Sequence, residues 1–313
     1  MKKFIIVIFI LVLGFILFFL NIRKEDSYCL TGAFLSDKPT KEDIVNFKNT
    51  YGKKPFLVLV FVDWDNFVDE KVTEDVYSSG CILFVSWEPW YAHVKEGVDF
   101  DELLAGKHDG YIKEFASKIK GINKPVLIRF AHEMNGDWYP WAGIKVGADK
   151  FKAGYRYVKG IFDSENADNV KWVFSINWQN IPQENDYRLY YPQDENIDYI
   201  GIDGYNWGNT QSWSKWMSFE DIFSQKYTEI TTNLKKPVII SEFSSTSSGG
   251  NKAMWIRKAL IDMKKMENIK AFVLFNVDKE TDWSFSINSL SGKELKKQLK
   301  DGYFKDGLVK GLR

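Results

Sequence analysis

At 313 residues with 45% hydrophobic content, the chain is long enough to bury a large core in one sizeable domain or two modest ones. Lys plus Arg and Asp plus Glu each number 42, so the formal net charge is zero. That balance excludes the strong positive field that recruits nucleic acid and gives no reason to expect a polyanionic partner. Aromatic residues make up 16% and include 12 tryptophans; each buried indole N–H needs a partner, so a surface that stacks on a ligand is expected.

The chain opens with "MKKFIIVIFILVLGFILFFLNIRKED". From Phe4 to Ile22 only Asn21 is polar, and as a helix this segment would extend roughly 28 Å, enough to span a bilayer. A secretory signal has a shorter apolar core and a small-residue cleavage site, and the residues before Cys29 form no lipoprotein box. The reading is a membrane-anchor helix and short stalk over residues 1–28, followed by a folded domain over 29–313, with secretion after cleavage as the alternative. Lys2 and Lys3 favour a cytoplasmic N-terminus and an extracytoplasmic body at the cell membrane, an asymmetry that Arg23 and Lys24 weaken. Cys29 and Cys81 each begin an apolar run and read as small buried strand residues, with no metal-ligand spacing to join.

Eight apolar runs follow: Cys29 to Leu35, Pro55 to Trp64, Cys81 to Trp90, Pro125 to Glu133, Val170 to Trp178, Ile197 to Tyr205, Pro237 to Phe243 and Lys270 to Asp278. Near-continuous apolar strands are those of a parallel sheet covered on both faces. Between them, amphipathic patterns predict helices over Lys41 to Thr50, Gly110 to Lys120, Ala148 to Phe162, Phe219 to Asn233 and Lys252 to Met266, and the Lys-rich tail from Gly292 holds a final helix or a solvated end. Repeated βα units without a Gly-rich phosphate turn after the first strand predict a (β/α)8 TIM barrel in preference to a doubly wound sheet. The "SSGG" at Ser247 to Gly250 opens a helix but lacks the Lys-Ser/Thr of a phosphate loop.

In such barrels chemistry collects at the C-terminal ends of the strands. Here those ends carry Asp63, Glu88 with Trp87 and Trp90, His132 with Glu133, Asn177, Asp203 with Tyr205, Glu242, and Asn276 with Asp278. Indole faces stack on the C–H faces of sugars, and carboxyl groups bind hydroxyls. Cleaving a glycosidic bond takes two carboxyls, and Glu133 and Glu242, ending strands four and seven, can meet across the mouth about 5 Å apart, the spacing of a retaining enzyme. Arg129 shares the inward period with Glu133 and must pair with acids; it braces a catalytic carboxylate or forms a purely structural ion pair. Glu88 is the rival carboxylate, open to binding a hydroxyl, to pairing with a base such as Arg129, or to facing solvent. Trp90 and Trp138 sit on loops expected to overhang the mouth.

The stretches "RFAHEMNGDWYPW" and "PVIISEF" resemble the acid/base and nucleophile motifs of glycoside hydrolase family 26, and the resemblance runs from Gly32 to Trp283. It implies Glu133 as general acid/base and Glu242 as nucleophile, with His132 and Asn135 beside the acid and Trp138 in the cleft. From "GIDGY" it implies that Tyr205 hydrogen-bonds the nucleophile and Asp203 contacts substrate hydroxyls, and beyond strand eight that Trp283 stacks on a sugar. The implied partner is a β-linked polysaccharide, most often β-1,4-mannan in this family, with a β-1,4 or mixed-linkage glucan close behind, because "SWEPW", "GYNWG" and "SSGGNKAMWI" look unlike the better-known mannanases. No cofactor or metal is expected, and the catalytic domain is expected to be monomeric. A reading from another class is a catalytically idle glycan-binding subunit tethered beside a polysaccharide synthesis or export system.

Overall fold

The computed structural model describes residues 27–193 and 197–309. Eight strands form its centre: β1 (Cys29–Phe34), β2 (Leu57–Val62), β3 (Ile82–Trp87), β4 (Val126–Phe130), β5 (Val170–Asn177), β6 (Tyr199–Asn206), β7 (Val238–Ser245) and β8 (Ile269–Phe275). Each pairs in parallel with the next, and β8 returns to β1 with Leu30 opposite Ala271, so the sheet closes. This is the (β/α)8 barrel expected from the sequence. Every residue of β1, β3, β4 and β7 is buried, as a sheet covered on both faces requires.

Alternation along the strands separates two cores. Leu57, Leu59, Phe84, Leu127 and Val173 fill the barrel interior, while Val58, Val60, Leu83, Val85 and Ile128 face the helices. The longer surrounding helices are α1 (Lys41–Tyr51), α2 (Glu70–Ser78), α3 (Asp109–Gly121), α4 (Ala148–Ser164), α5 (Phe219–Asn233), α6 (Lys252–Met263) and α7 (Leu290–Leu299), with short helical turns at Phe100–Leu104 and Gly143–Val146. Capping boxes open α1 (Thr40 with Asp43) and α5 (Ser218 with Asp221), satisfying the first free N–H groups. The buried stripe of α3 is Ile112, Phe115, Ala116 and Ile119, the four residues its periodicity marks.

The structure departs from the expected alternation in three places. Helix α2 was not apparent in the sequence, since Val72 and Val76 are its only buried apolar residues. Between β5 and β6 the described residues hold only a 3-10 turn, Tyr187–Leu189. The loop after β3 folds into a small antiparallel ribbon, Trp90–Tyr91 against Glu96–Gly97. The tail does form a helix, α7, which packs on α6 and α1. Beyond it Phe304–Lys305 lies beside the start of β1, with Cys29 opposite Phe304 and the Cys29 N–H donating to the Tyr303 carbonyl at 3.0 Å. Cys29 and Cys81 are free and buried. The expected anchor, Phe4 to Ile22, lies outside the described residues, and among the described residues no helix is long and apolar enough to cross a membrane.

Candidate active site

Strand β4 ends at Phe130, and the next residues turn sharply. Ala131 and Glu133 both take left-handed backbone conformations, with φ of 51° and 54°, which cost a non-glycine residue on the order of 1–3 kcal/mol each. The turn is pinned at each step. The Ala131 N–H donates to the Trp87 carbonyl (3.0 Å) and the Glu133 N–H to the Ser175 carbonyl (2.9 Å), while the buried Trp141 indole donates to the His132 carbonyl (2.7 Å). The result aims the Glu133 carboxyl into the mouth. There Oε1 accepts from the Asn177 amide and Oε2 from the Trp138 indole, both at 2.9 Å.

Glu242 arrives differently. Along β7, Ile240 pairs with Ile202 of β6 but Glu242 pairs with Asp203, so Ser241 is an extra residue, a bulge. Ile240 and Phe243 both join the outer core, and between them Ser241 and Glu242 both have inward partners. Ser241 donates to Asp203 at 2.6 Å and meets the Ser175 hydroxyl at 2.8 Å. Glu242 accepts from the Arg129 guanidinium on one oxygen and from the Tyr205 hydroxyl on the other. Arg129 also spans both oxygens of Asp203, at 3.0 and 2.8 Å, with no exposed surface. This polar layer needs space: a Cβ on Gly201 would lie 2.5 Å from both the Ser175 and Ser241 hydroxyls.

These surroundings set the two carboxyls apart. Burial pushes the Glu133 carboxyl up to about 7, the Glu242 charge adds to the shift, and Asn177, Arg129 and Trp138 oppose it. Burial works against the charge of Arg129, but Asp203 and Glu242 outweigh it and hold the guanidinium proton above its ordinary value. Burial and the Glu242 charge keep the Tyr205 proton in place, so it remains a donor. Burial, with Arg129 and Lys279, drives His132 well below the usual imidazole range, so the ring is neutral; it bridges Ser86 and Tyr139, each at 3.2 Å. Glu88 is raised to about 7, again chiefly by burial, and accepts from the Trp90 indole at 3.0 Å.

The residues expected at the site therefore converge, with changes of part. Tyr205 bonds Glu242 as the resemblance implied. Asp203 does not present itself to a sugar hydroxyl: it is 0% exposed, a layer below the mouth, with its carboxylate held by Arg129, Ser175 and Ser241. Trp283 offers no stacking face either, at 1% exposed, because it lies beneath Tyr205 and Trp207, both with ring centroids at 4.8 Å. Asn135 is buried and braces the β5 loop, donating to the carbonyls of Asn177 (2.8 Å) and Gln179 (2.9 Å). Trp138 is 45% exposed beside Glu133, an indole a sugar can reach.

Comparison with known proteins adds the family. The pattern of Glycosyl hydrolase family 26 matches residues 41–284. The chain belongs to that family. Membership places it among the glycoside hydrolases. Endoglucanase H of Acetivibrio thermocellus is 38% identical to this family 26 chain over 300 residues, 92% of the chain but 32% of that protein, so the chain spans about a third of that relative's length. A mannan endo-1,4-beta-mannosidase of Bacillus subtilis is 25% identical over 205 residues, covering 62% of this chain and 48% of that one. Among solved structures, a GH26 beta-mannanase from Bacteroides ovatus superposes with a TM-score of 0.67 at 16% identity, covering 90% of this chain and 91% of that one. The YdhT protein from Bacillus subtilis gives 0.67 at 17% identity, covering 90% and 87%; these likenesses concern the fold.

Within this family 26 barrel, sequence reasoning passed over Asn177 as a ligand of Glu133, although it ends β5 on the same inward period as Ser175. It also passed over Tyr139, which stacks on Trp141 at 4.2 Å and bonds His132. His132, Asp203 and Glu242 each offer an atom within 4.8 Å of the others, the spacing of a metal site. The donor set does not fit one, because Arg129 already holds both carboxylates and the His132 nitrogens are turned to Ser86 and Tyr139.

Proposed function

We propose that this chain is a retaining endo-β-glycanase in which Glu242 is the nucleophile and Glu133 the general acid/base. The observation that carries the reading is the asymmetry of the pair: Glu242 meets a guanidinium and a phenol, whereas Glu133 meets two neutral N–H donors and is pushed up to about 7. In the first step Glu133 gives its proton to the glycosidic oxygen as Glu242 attacks the anomeric carbon and the C–O bond breaks. The ester then formed no longer carries the Glu242 charge, so one cause of the raised pKa of Glu133 disappears, and as a carboxylate it can take a proton from the attacking water. Water oxygen bonds to the anomeric carbon, and Glu242 leaves.

The proposed substrate is a β-1,4-linked or mixed-linkage β-glucan. A stretch of similarity 38% identical over 300 residues supports this reading, since that relative is named an endoglucanase. β-1,4-Mannan is the second reading, supported by relatives named mannan endo-1,4-beta-mannosidase. Reducing-end release from barley β-glucan, cellulose, glucomannan and galactomannan separates them. Turnover on β-glucan with none on galactomannan is expected, the reverse selects mannan, and silence on every polymer defeats the hydrolase reading. The extracytoplasmic, membrane-tethered placement rests on the apolar segment Phe4 to Ile22; retention of activity in carbonate-washed membranes is expected, and its full release into the medium would refute the tether.

A further inference from the structure

The loop from Trp207 to Met217 joins β6 to α5 and carries a tryptophan the chemistry above does not use. Trp213 is 70% exposed. It does not ride on a loose tip, for the loop is stitched internally. The Ser214 hydroxyl donates to the Gly208 carbonyl (2.7 Å) and accepts from the Gln211 N–H (3.1 Å), and the Met217 N–H donates to the buried Asn206 side chain (2.9 Å). The "SSGG" stretch seats the loop from the other side. The Asn209 N–H donates to the Ser248 carbonyl at 3.1 Å, a Cβ on Gly208 would lie 1.9 Å from that carbonyl, and one on Gly250 would lie 2.3 Å from the Trp216 ring. The glycines here permit close packing of two loops, and a rigid mount for an exposed indole is the outcome.

The indole is continuous with the site. Trp213 lies 5.6 Å from Trp207, and Trp207 lies 6.3 Å from Tyr205, the donor to Glu242. We propose that Trp213 is an outer sugar-binding platform on the β6 side of the mouth, stacking on the C–H face of a β-linked glycan residue bound away from the cleaved bond. This rests on the glycanase reading. A sugar ring offers a flat apolar face to an indole, and a contact made equally in ground and transition states lowers KM without raising kcat. The platform therefore favours long chains over short ones.

The test compares the full chain with Trp213→Ala and Trp213→Phe on barley β-glucan and glucomannan and on short aryl β-cellobioside and β-mannobioside. The alanine variant is expected to raise KM for the hydrolysed polymer by about fivefold to tenfold, with kcat and the aryl disaccharide kinetics unchanged and phenylalanine intermediate. Equal KM on the polymer, or an equal loss on the disaccharides, overturns the proposal. Affinity electrophoresis in the same polysaccharides reads the platform without turnover. Wild type is expected to be retarded and Trp213→Ala to run free, and equal retardation overturns the platform. A wild type that is retarded but releases no reducing ends defeats the hydrolase reading while leaving the platform standing.

Discussion

Strands β4 and β7 bring the two candidate carboxyls to one mouth by opposite means. At β4 the strand has ended, and two left-handed residues swing Glu133 into the cleft. At β7 the strand runs on to Ser245, and one extra residue rolls Glu242 inward. The first route delivers a side chain to neutral donors at the rim; the second delivers one to a charged donor at the barrel's polar layer. The same residue type is thus given two different electrostatic settings by the backbone that presents it.

Removing each carboxyl is the strongest test of that contrast. Glu133→Ala and Glu242→Ala should each lower kcat by about 10²-fold to 10⁴-fold or more without unfolding the protein. Added azide should give opposite anomers of the glycosyl azide from the two variants with an activated aryl glycoside, read by NMR; the same anomer from both would erase the distinction. Next in size is Arg129→Met, which leaves Asp203 and Glu242 buried without their cation. Chemical denaturation should register a loss of about 3–5 kcal/mol, and a loss near zero would mean that the pair under Glu242 is not what holds it. The smallest effect concerns Asn177→Ala. Glu133 must hold its proton to act as an acid, so the rate should fall as pH rises through about 7. Asn177 favours the charged form, so its removal should shift that alkaline limb upward by about half a pH unit. Burial also pushes Glu88 up to about 7; a limb that moves in Glu88→Gln and stays in Asn177→Ala belongs to Glu88.

The barrel was legible because eight apolar runs each had to be buried on both faces, a demand few folds meet. The inward period correctly put Arg129 inside. What period two cannot give is depth: Asp203 and Tyr205 lie on one face of β6, yet only strand stagger decides that the first is sealed below the second. The bulge at Ser241 was invisible because "PVIISEF" reads as an unbroken strand, and its extra residue appears only against β6. The left-handed turns at Ala131 and Glu133 carry no glycine or asparagine to announce them. Trp283 shows the same limit for aromatics, since a tryptophan under a site and one facing it are spelled alike.

The strap at the chain's end sets an orientation. Cys29 starts β1 beside Phe304, and all eight strands are parallel, so the polypeptide enters the barrel from the face opposite the carboxyls. The start of β1 and Phe304–Lys305 therefore lie together at the end of the barrel away from Glu133 and Glu242, and the mouth is clear of both.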